Sequence, residues 1–314
     1  MNRYRVLTDY AGLALVVVIL LVVFGVTTEH FLTPDTFKNI ANQIPDAMIV
    51  AVGMTFVLII GGIDLSVGSV LALSGAVLGV ALVRFRCPLP LALAACLATG
   101  LLCGLLNGLV IVRWRLPSFI VTLGMLEIAS GAAYLLTRSQ TQYIGRDVEV
   151  LGEISLFGLS GPFLIAVVIV AAGQIVLSHT LVGRHALALG ANAEAARLSG
   201  ISTRALTLGV FALSGLLSAV AGVIQCARMG ASDPNAGIGF ELQAIAAVVI
   251  GGTSLMGGRG SVLNSFFGVL IIEVLRVGLF TVGAQESTKR LITGCVIVAA
   301  VILDYYRHRL KRSA

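Results

Sequence analysis

The sequence predicts an all-α, polytopic integral membrane protein with about ten transmembrane helices. Three observations lead there. Only 11% of the 314 residues are charged, where a soluble domain carries about 25%. Hydrophobic residues make up 58% and mean hydropathy is +1.01, too high for a large soluble core. The apolar runs are also continuous over lengths that cross a hydrocarbon layer roughly 30 Å thick, instead of alternating like barrel strands.

Ten runs qualify as spans: 9–28, 42–61, 65–83, 88–112, 117–137, 161–178, 204–226, 241–257, 261–282 and 290–306. The first carries Arg3 and Arg5 ahead of the apolar stretch Ala11 to Val26. With no small-residue cleavage site before Thr27–His30, it reads as an uncleaved span. An even count puts both termini on one side. With the termini cytoplasmic, the inside loops and ends hold twelve Lys/Arg, including Arg307, Arg309, Lys311 and Arg312, against eight outside. That bias is the positive-inside pattern, so the net charge of +6 implies a lipid bilayer as partner and not nucleic acid. The five cysteines form no CxxC and lie mostly in apolar runs, where they read as small buried hydrophobes. No linker divides the chain, so residues 1–314 read as a single domain.

One tract breaks the apolar pattern. Gly183 to Ile201 (GRHALALGANAEAARLSGI) is polar, punctuated by glycine and helix-coded. Asn192 is an N-cap type, Glu194 sits in the first turn, Arg197 near the end, and Gly200 suits a left-handed terminus. So short a helix is unstable alone. Ala193, Ala196 and Gly200 form a small-residue face suited to insertion into a partner's groove. The other reading is a loop folded against its own membrane domain.

Two further segments interrupt spans. GGIDLSVGSV at 61–70 breaks a stretch of about 40 apolar residues, with Gly61 and Gly62 ending one helix and Asp64 or Ser66 capping the next. Ile250-Gly251-Gly252-Thr253-Ser254-Leu255 echoes it, and both are followed by Gly-Ser-Val (68–70, 260–262). Corresponding broken segments in two halves are a transporter feature. Glu127 falls mid-span, where an acid points to function, and Glu273 and Arg276 stand as an i,i+3 pair inside a span. Gly100, Gly104 and Gly108, like Ser214, Ser218 and Gly222, mark helix-packing faces. Asn107 lies beside the first of these and serves either helix packing or a hydrogen bond to a solute hydroxyl. The loop 138–160 carries charges suited to docking a soluble partner.

Glu194-Ala195-Ala196-x-x-x-Gly200 resembles the EAA loop of bacterial ABC importer permeases. With GGIDLSVGSV, LPSFIVTLGM (116–125) and AVVIGGTSLMGGRGSV (247–262), nearly the whole chain is similar to the ribose/monosaccharide permease family. The resemblance implies the ten-helix ABC importer permease fold in the bacterial cytoplasmic (inner) membrane. It also implies a second permease copy or paralogue, a cytoplasmic ABC ATPase subunit and an extracytoplasmic sugar-binding protein. Two departures stand out: no I-x-L-P follows the EAA pattern, and Ser130-Gly131 replaces an Arg-Gly.

The expected function is the membrane permease subunit of an ATP-driven importer of a ribose-type monosaccharide, non-enzymatic in itself. No Walker A loop, HExxH, GxSxG or Cys/His metal spacing is present, so no cofactor or metal is expected and ATP would be bound and hydrolysed by the partner. The expected ATPase-coupling segment spans about 179–203, with Gly183, Arg184, Gly190, Asn192, Glu194, Ala195, Ala196, Arg197, Gly200 and Ile201 as its residues. Asp64, Ser66, Asn107, Glu127, Gly251, Gly252 and Ser254 are expected to shape or gate the path. The alternatives are a proton-coupled secondary transporter of a small polar solute, in which Asp64 or Glu127 cycles its proton, and a passive facilitator.

Overall fold

A computed structural model describes residues 3–28, 31–153, 155, 156, 159–285, 287–289, 291–296, 298, 299 and 302. It is a helical bundle. The long elements are α1 (Arg3–Thr27), α3 (Pro45–Ile59), α4 (Val67–Val83), α5 (Leu89–Trp114), α6 (Ser118–Thr137), α8 (Gly161–His179), α11 (Thr203–Met229) and α13 (Val262–Thr281). Shorter helices are α2 (Pro34–Gln43), α7 (Arg146–Glu153), α9 (Leu181–Ala191), α10 (Ala193–Leu198) and α12 (Phe240–Ile250). Four two-residue strands form two small ladders. One pairs β1 (Gln142–Tyr143) with β4 (Ala231–Ser232), and the other pairs β2 (Ser155–Leu156) with β3 (Leu159–Ser160).

Five described helices are long and apolar enough to cross a membrane: α5, α6, α8, α11 and α13. A sixth span forms if α2 and α3, bent by 46° at their junction, count as one. The expectation of ten is not reached among the described residues, and the glycine joints are the main reason. They cut α4 to 17 residues and α12 to 11, and the side chains of α1 are described only from Ala11 to Thr27. The tenth run, 290–306, and the basic tail lie largely or wholly outside the described residues.

The centre of the bundle is α3, buried along almost its whole length, with Met48, Met54, Phe56 and Leu58 at 1% exposure or less. A helix apolar on every side belongs inside a bundle. Around it pack α8, α11, α12 and α13. The antiparallel pair α5 and α11 packs backbone to backbone: a side chain added at Gly100, Gly104 or Gly108 would meet the backbone of Gly215, Phe211 or Leu208. Small residues let these backbones touch, which in lipid replaces the hydrophobic drive for association. Of the five spanning helices α6 is the least covered.

The segment after β4 does not stay at the bundle end. Ser232 lies against Gly79, and five residues on Gly237 touches the backbone of Gly68. Those contacts are eleven residues apart on α4, so the chain descends about 16 Å along it before α12 begins at Phe240. Thus α12 starts part-way down the bundle and packs antiparallel to α13, with Ala247 against Gly268 and Gly251 against Asn264.

Candidate functional site: a polar tract joined to two helix breaks

The expected coupling tract folds as two helices. Thr180 caps α9 by accepting from Gly183 N at 3.4 Å, and Gly183 is buried against Leu177. The chain turns at Asn192, whose Oδ1 accepts from Ala195 N at 2.9 Å, the N-cap geometry that satisfies a first-turn amide. Glu194 and Arg197 form a bidentate pair at 2.6 and 3.1 Å, wholly exposed. Arg197 holds the Glu194 carboxyl below its ordinary range through that hydrogen bond and its charge. The end of α10 is closed by Gly200 at φ +81°, with Ile201 N donating to Ala196 O at 3.1 Å, the six-to-one bond of a Schellman turn.

Two expectations are corrected. The helix-coded tract forms two helices, α9 and α10, where sequence reading delimited only the one capped at Asn192. The small-residue face is also divided: Ala196 is buried within this chain, while Ala193 and Gly200 are exposed. What α10 presents outward is Asn192, Ala195, Arg184 on the preceding helix, and above all Leu198, 75% exposed.

The tract is not separate from the membrane helices. A side chain at Gly190 would collide with both Ile59 O and Gly258 N, and one at Gly258 would meet the backbone of Ala191. Gly258 N itself donates to Ile59 O at 2.8 Å. The end of α9, the end of α3 and the α12–α13 loop therefore meet backbone to backbone at one point.

At the first break Asp64 is 1% exposed and fully engaged. Its Oδ1 accepts from Ser66 N at 3.0 Å and Ser66 Oγ at 2.7 Å, and its Oδ2 from Ser214 Oγ at 2.8 Å. Asn107 Nδ2 donates to Ser66 Oγ at 3.0 Å. Asp64, Ser66 and Asn107 are thus brought together as an interior lock on the start of α4. The backbone freed by the break is satisfied from α6: Ser118 Oγ accepts from Ile63 N, and Thr122 Oγ1 accepts from Leu65 N and donates to Ile63 O. Helix breaks in lipid persist only where such partners exist. Ser118 and Thr122 escaped sequence reading, although both lie in LPSFIVTLGM, and Ser214 was read only as part of a helix-packing face. Its hydroxyls at a four-residue spacing were the available signal.

The second break closes on itself. Ser254 N donates to Arg259 O at 3.1 Å, and Met256 N donates to Ser254 Oγ at 3.2 Å. Gly251 is buried against Asn264, Gly252 turns at φ +86°, and Met256 projects at 89% exposure. Glu127 joins neither break. It lies exposed on the uncovered side of α6, seven residues before Tyr134, whose hydroxyl donates to Asn235 Oδ1 at 2.7 Å. Asn235 belongs to the descending segment, so Glu127, Tyr134 and Asn235 give that side a polar character. Among the described residues no cluster of His, Cys, Asp and Glu could hold a metal ion.

Comparison with known proteins agrees with a transport permease. Residues 36–301 match the family described as branched-chain amino acid transport system / permease component. The ribose import permease protein RbsC of Haemophilus influenzae is 37% identical over 294 residues, covering 92% of this chain and 91% of that protein. The fructose import permease protein FrcC of Rhizobium meliloti is 34% identical, covering 94% and 85%. The L-arabinose ABC transporter permease protein AraH of Azospirillum brasilense is 33% identical, covering 98% and 91%. The chain belongs to this family of membrane transport permeases, and these relatives are named as permease proteins.

Proposed function

We propose that this chain is the membrane permease subunit of an ATP-driven monosaccharide importer. Two permease chains enclose the path, a binding protein delivers sugar at the 138–160 end, and a cytoplasmic ATPase acts on α9 and α10. The observation that carries this reading is the backbone junction of Gly190, Ile59 and Gly258. A polar, outward-facing tract with no lipid role bears directly on both helix breaks, so force applied there reaches the membrane interior. Nucleotide can shift the permease only through differential affinity for its conformations, and a rigid backbone contact supplies a structural difference to bind.

The sugar names of the relatives support a monosaccharide, against the amino-acid wording of the family description. The path is assigned to the uncovered side of α6 and the descending segment. A carboxylate facing lipid at mid-span costs about 2.5–3.5 kcal/mol, so Glu127 calls for a hydrated or protein-covered face, which a second copy provides.

The test is reconstitution of the chain with its ATPase and binding protein in vesicles. Uptake should require nucleotide and binding protein and ignore an imposed pH gradient. Uphill uptake by the chain alone under a proton gradient would sink this reading in favour of secondary transport.

A further inference from the structure

The end of α5, the start of α11 and α10 border an open groove of about 550 Å³, lined by Arg115, Arg197, Arg204 and Glu194 among others. Beside it a second, of about 440 Å³, is lined by Leu109, Val112, Arg113, Arg115 and Arg204. The second contains no acid. Glu194, the acid of the first, is already tied to Arg197. Among the described residues no carboxylate pairs with Arg113, Arg115 or Arg204.

Basic residues at the end of α5 are ordinary, because they complement the negative end of its dipole. Arg204 is not. It is the second residue of α11, at the positive end, where no acid occupies the first turn and Ser202 makes no side-chain cap. Three guanidinium groups and an uncapped helix start therefore converge with nothing anionic to balance them. Below them the outer face of α5 is apolar, with Leu109, Leu106 and Leu102 each about half exposed or more. Trp114, 62% exposed beside Arg113 and Arg115, is the residue type that settles at the membrane–water boundary. Charge above, hydrocarbon below and an interfacial indole between them match one class of molecule.

We propose that this corner binds an anionic phospholipid, its phosphate held by Arg115 and Arg204 with Arg113 at the rim, and an acyl chain along Leu109, Leu106 and Leu102. Basic pockets between helices at a membrane surface take such headgroups, and juxtamembrane arginines contribute through the surface charge of the leaflet. The shared chemistry is a phosphate diester or monoester, and the lipid is favoured by the apolar strip. The site rests only on the chain being a membrane permease. It adjoins α10, so occupancy also sets the charge around the Glu194–Arg197 pair.

The experiment uses the purified permease with its ATPase in nanodiscs of phosphatidylcholine with or without phosphatidylglycerol, read by native mass spectrometry of retained lipid. Wild type should keep phosphatidylglycerol in preference to phosphatidylcholine. Arg115→Gln with Arg204→Gln should cut that preference by roughly tenfold, while Arg115→Lys with Arg204→Lys keeps most of it. Arg84→Gln with Arg86→Gln, on the loop between α4 and α5, should change nothing. Thermal unfolding in phosphatidylcholine alone verifies that the variants fold. An equal preference in wild type and the glutamine variant overturns the proposal. So does complete displacement of lipid by soluble glycerol phosphate, which would make this a small-anion site. Loss of ATPase co-purification in the glutamine variant without any change in retained lipid would make it a protein-docking surface, and would also overturn it. None of these results touches the nucleotide-dependence test above.

Discussion

Gly258 N donates to the carbonyl of Ile59 at 2.8 Å, joining two helix breaks nearly two hundred residues apart in sequence. Gly190 closes on that bond from the α9 side, and any β-carbon there strikes Ile59 and Gly258 together. Backbone cannot rotate aside as a flexible side chain can. Gly190→Val is therefore expected to destabilise the protein by ~1–3 kcal/mol or more, and to uncouple nucleotide hydrolysis from sugar. Thermal unfolding in detergent and sugar-stimulated ATPase activity measure the two effects. Wild-type values in both would show that the junction tolerates separation.

Arg228 at the end of α11 reaches Asp46 at 2.7 Å, with Asp46 only 3% exposed. Arg228 also donates to Gln43 O, and Arg276 bridges Gln43 Oε1 and Glu273, each at 2.9 Å. Removing one partner of a buried pair leaves an uncompensated charge, at a cost of about 3–5 kcal/mol. Arg228→Ala should lose that much. Asp46→Leu combined with Arg228→Leu should recover most of it, as a double-mutant cycle on unfolding would show.

Asp64 accepts three hydrogen bonds in the interior, each worth about 1.5–3 kcal/mol to a charged acceptor. Asp64→Asn is expected to lower yield and melting temperature while leaving sugar preference unchanged. Competition uptake with several monosaccharides tests the second half, and an altered preference at normal stability would move Asp64 into the path.

On α10, Glu194→Ala with Gly200→Leu should abolish sugar-stimulated ATP hydrolysis and leave membrane insertion intact. Leu198→Asp alone should weaken co-purification of the ATPase. The Glu194 pair adds a pH expectation. Its carboxyl titrates below the ordinary 4.5, so the pair's contribution is complete above that value and lost as pH falls through the lowered one. Coupled activity should owe no pH dependence to it between about pH 6 and 8.

The class of fold was legible because hydrocarbon crossing leaves a long-range compositional mark. The caps at Asn192 and Gly200 were legible because capping is local. So was the Glu273–Arg276 pair, three residues apart on one helix. Asp46 and Arg228 were not, since nothing within either segment announces a partner 182 residues away. Asp64 read as a helix cap and Glu127 as a mid-span acid, yet both were expected to shape or gate the path. The structure separates them by packing: one is enclosed by three helices, the other faces outward. Burial of Ala196 was equally hidden, because alanine suits either side of a helix. The run 241–257 placed the start of α12 within a residue of Phe240, but the helix stops at Ile250 because the chain turns at Gly251 and Gly252, and an apolar run that carries through its glycines hides that end.

The ladder between Gln142–Tyr143 and Ala231–Ser232 is small, yet it fastens the long α6–α8 connection to the strand that leads down into α12. Anything that grips that connection from above pulls on the same short rod that runs on into the 251–260 loop, where Gly258 meets the end of α9. A messenger arriving at either mouth of the bundle thus meets one continuous stretch of chain, and the two ends need no separate line of communication.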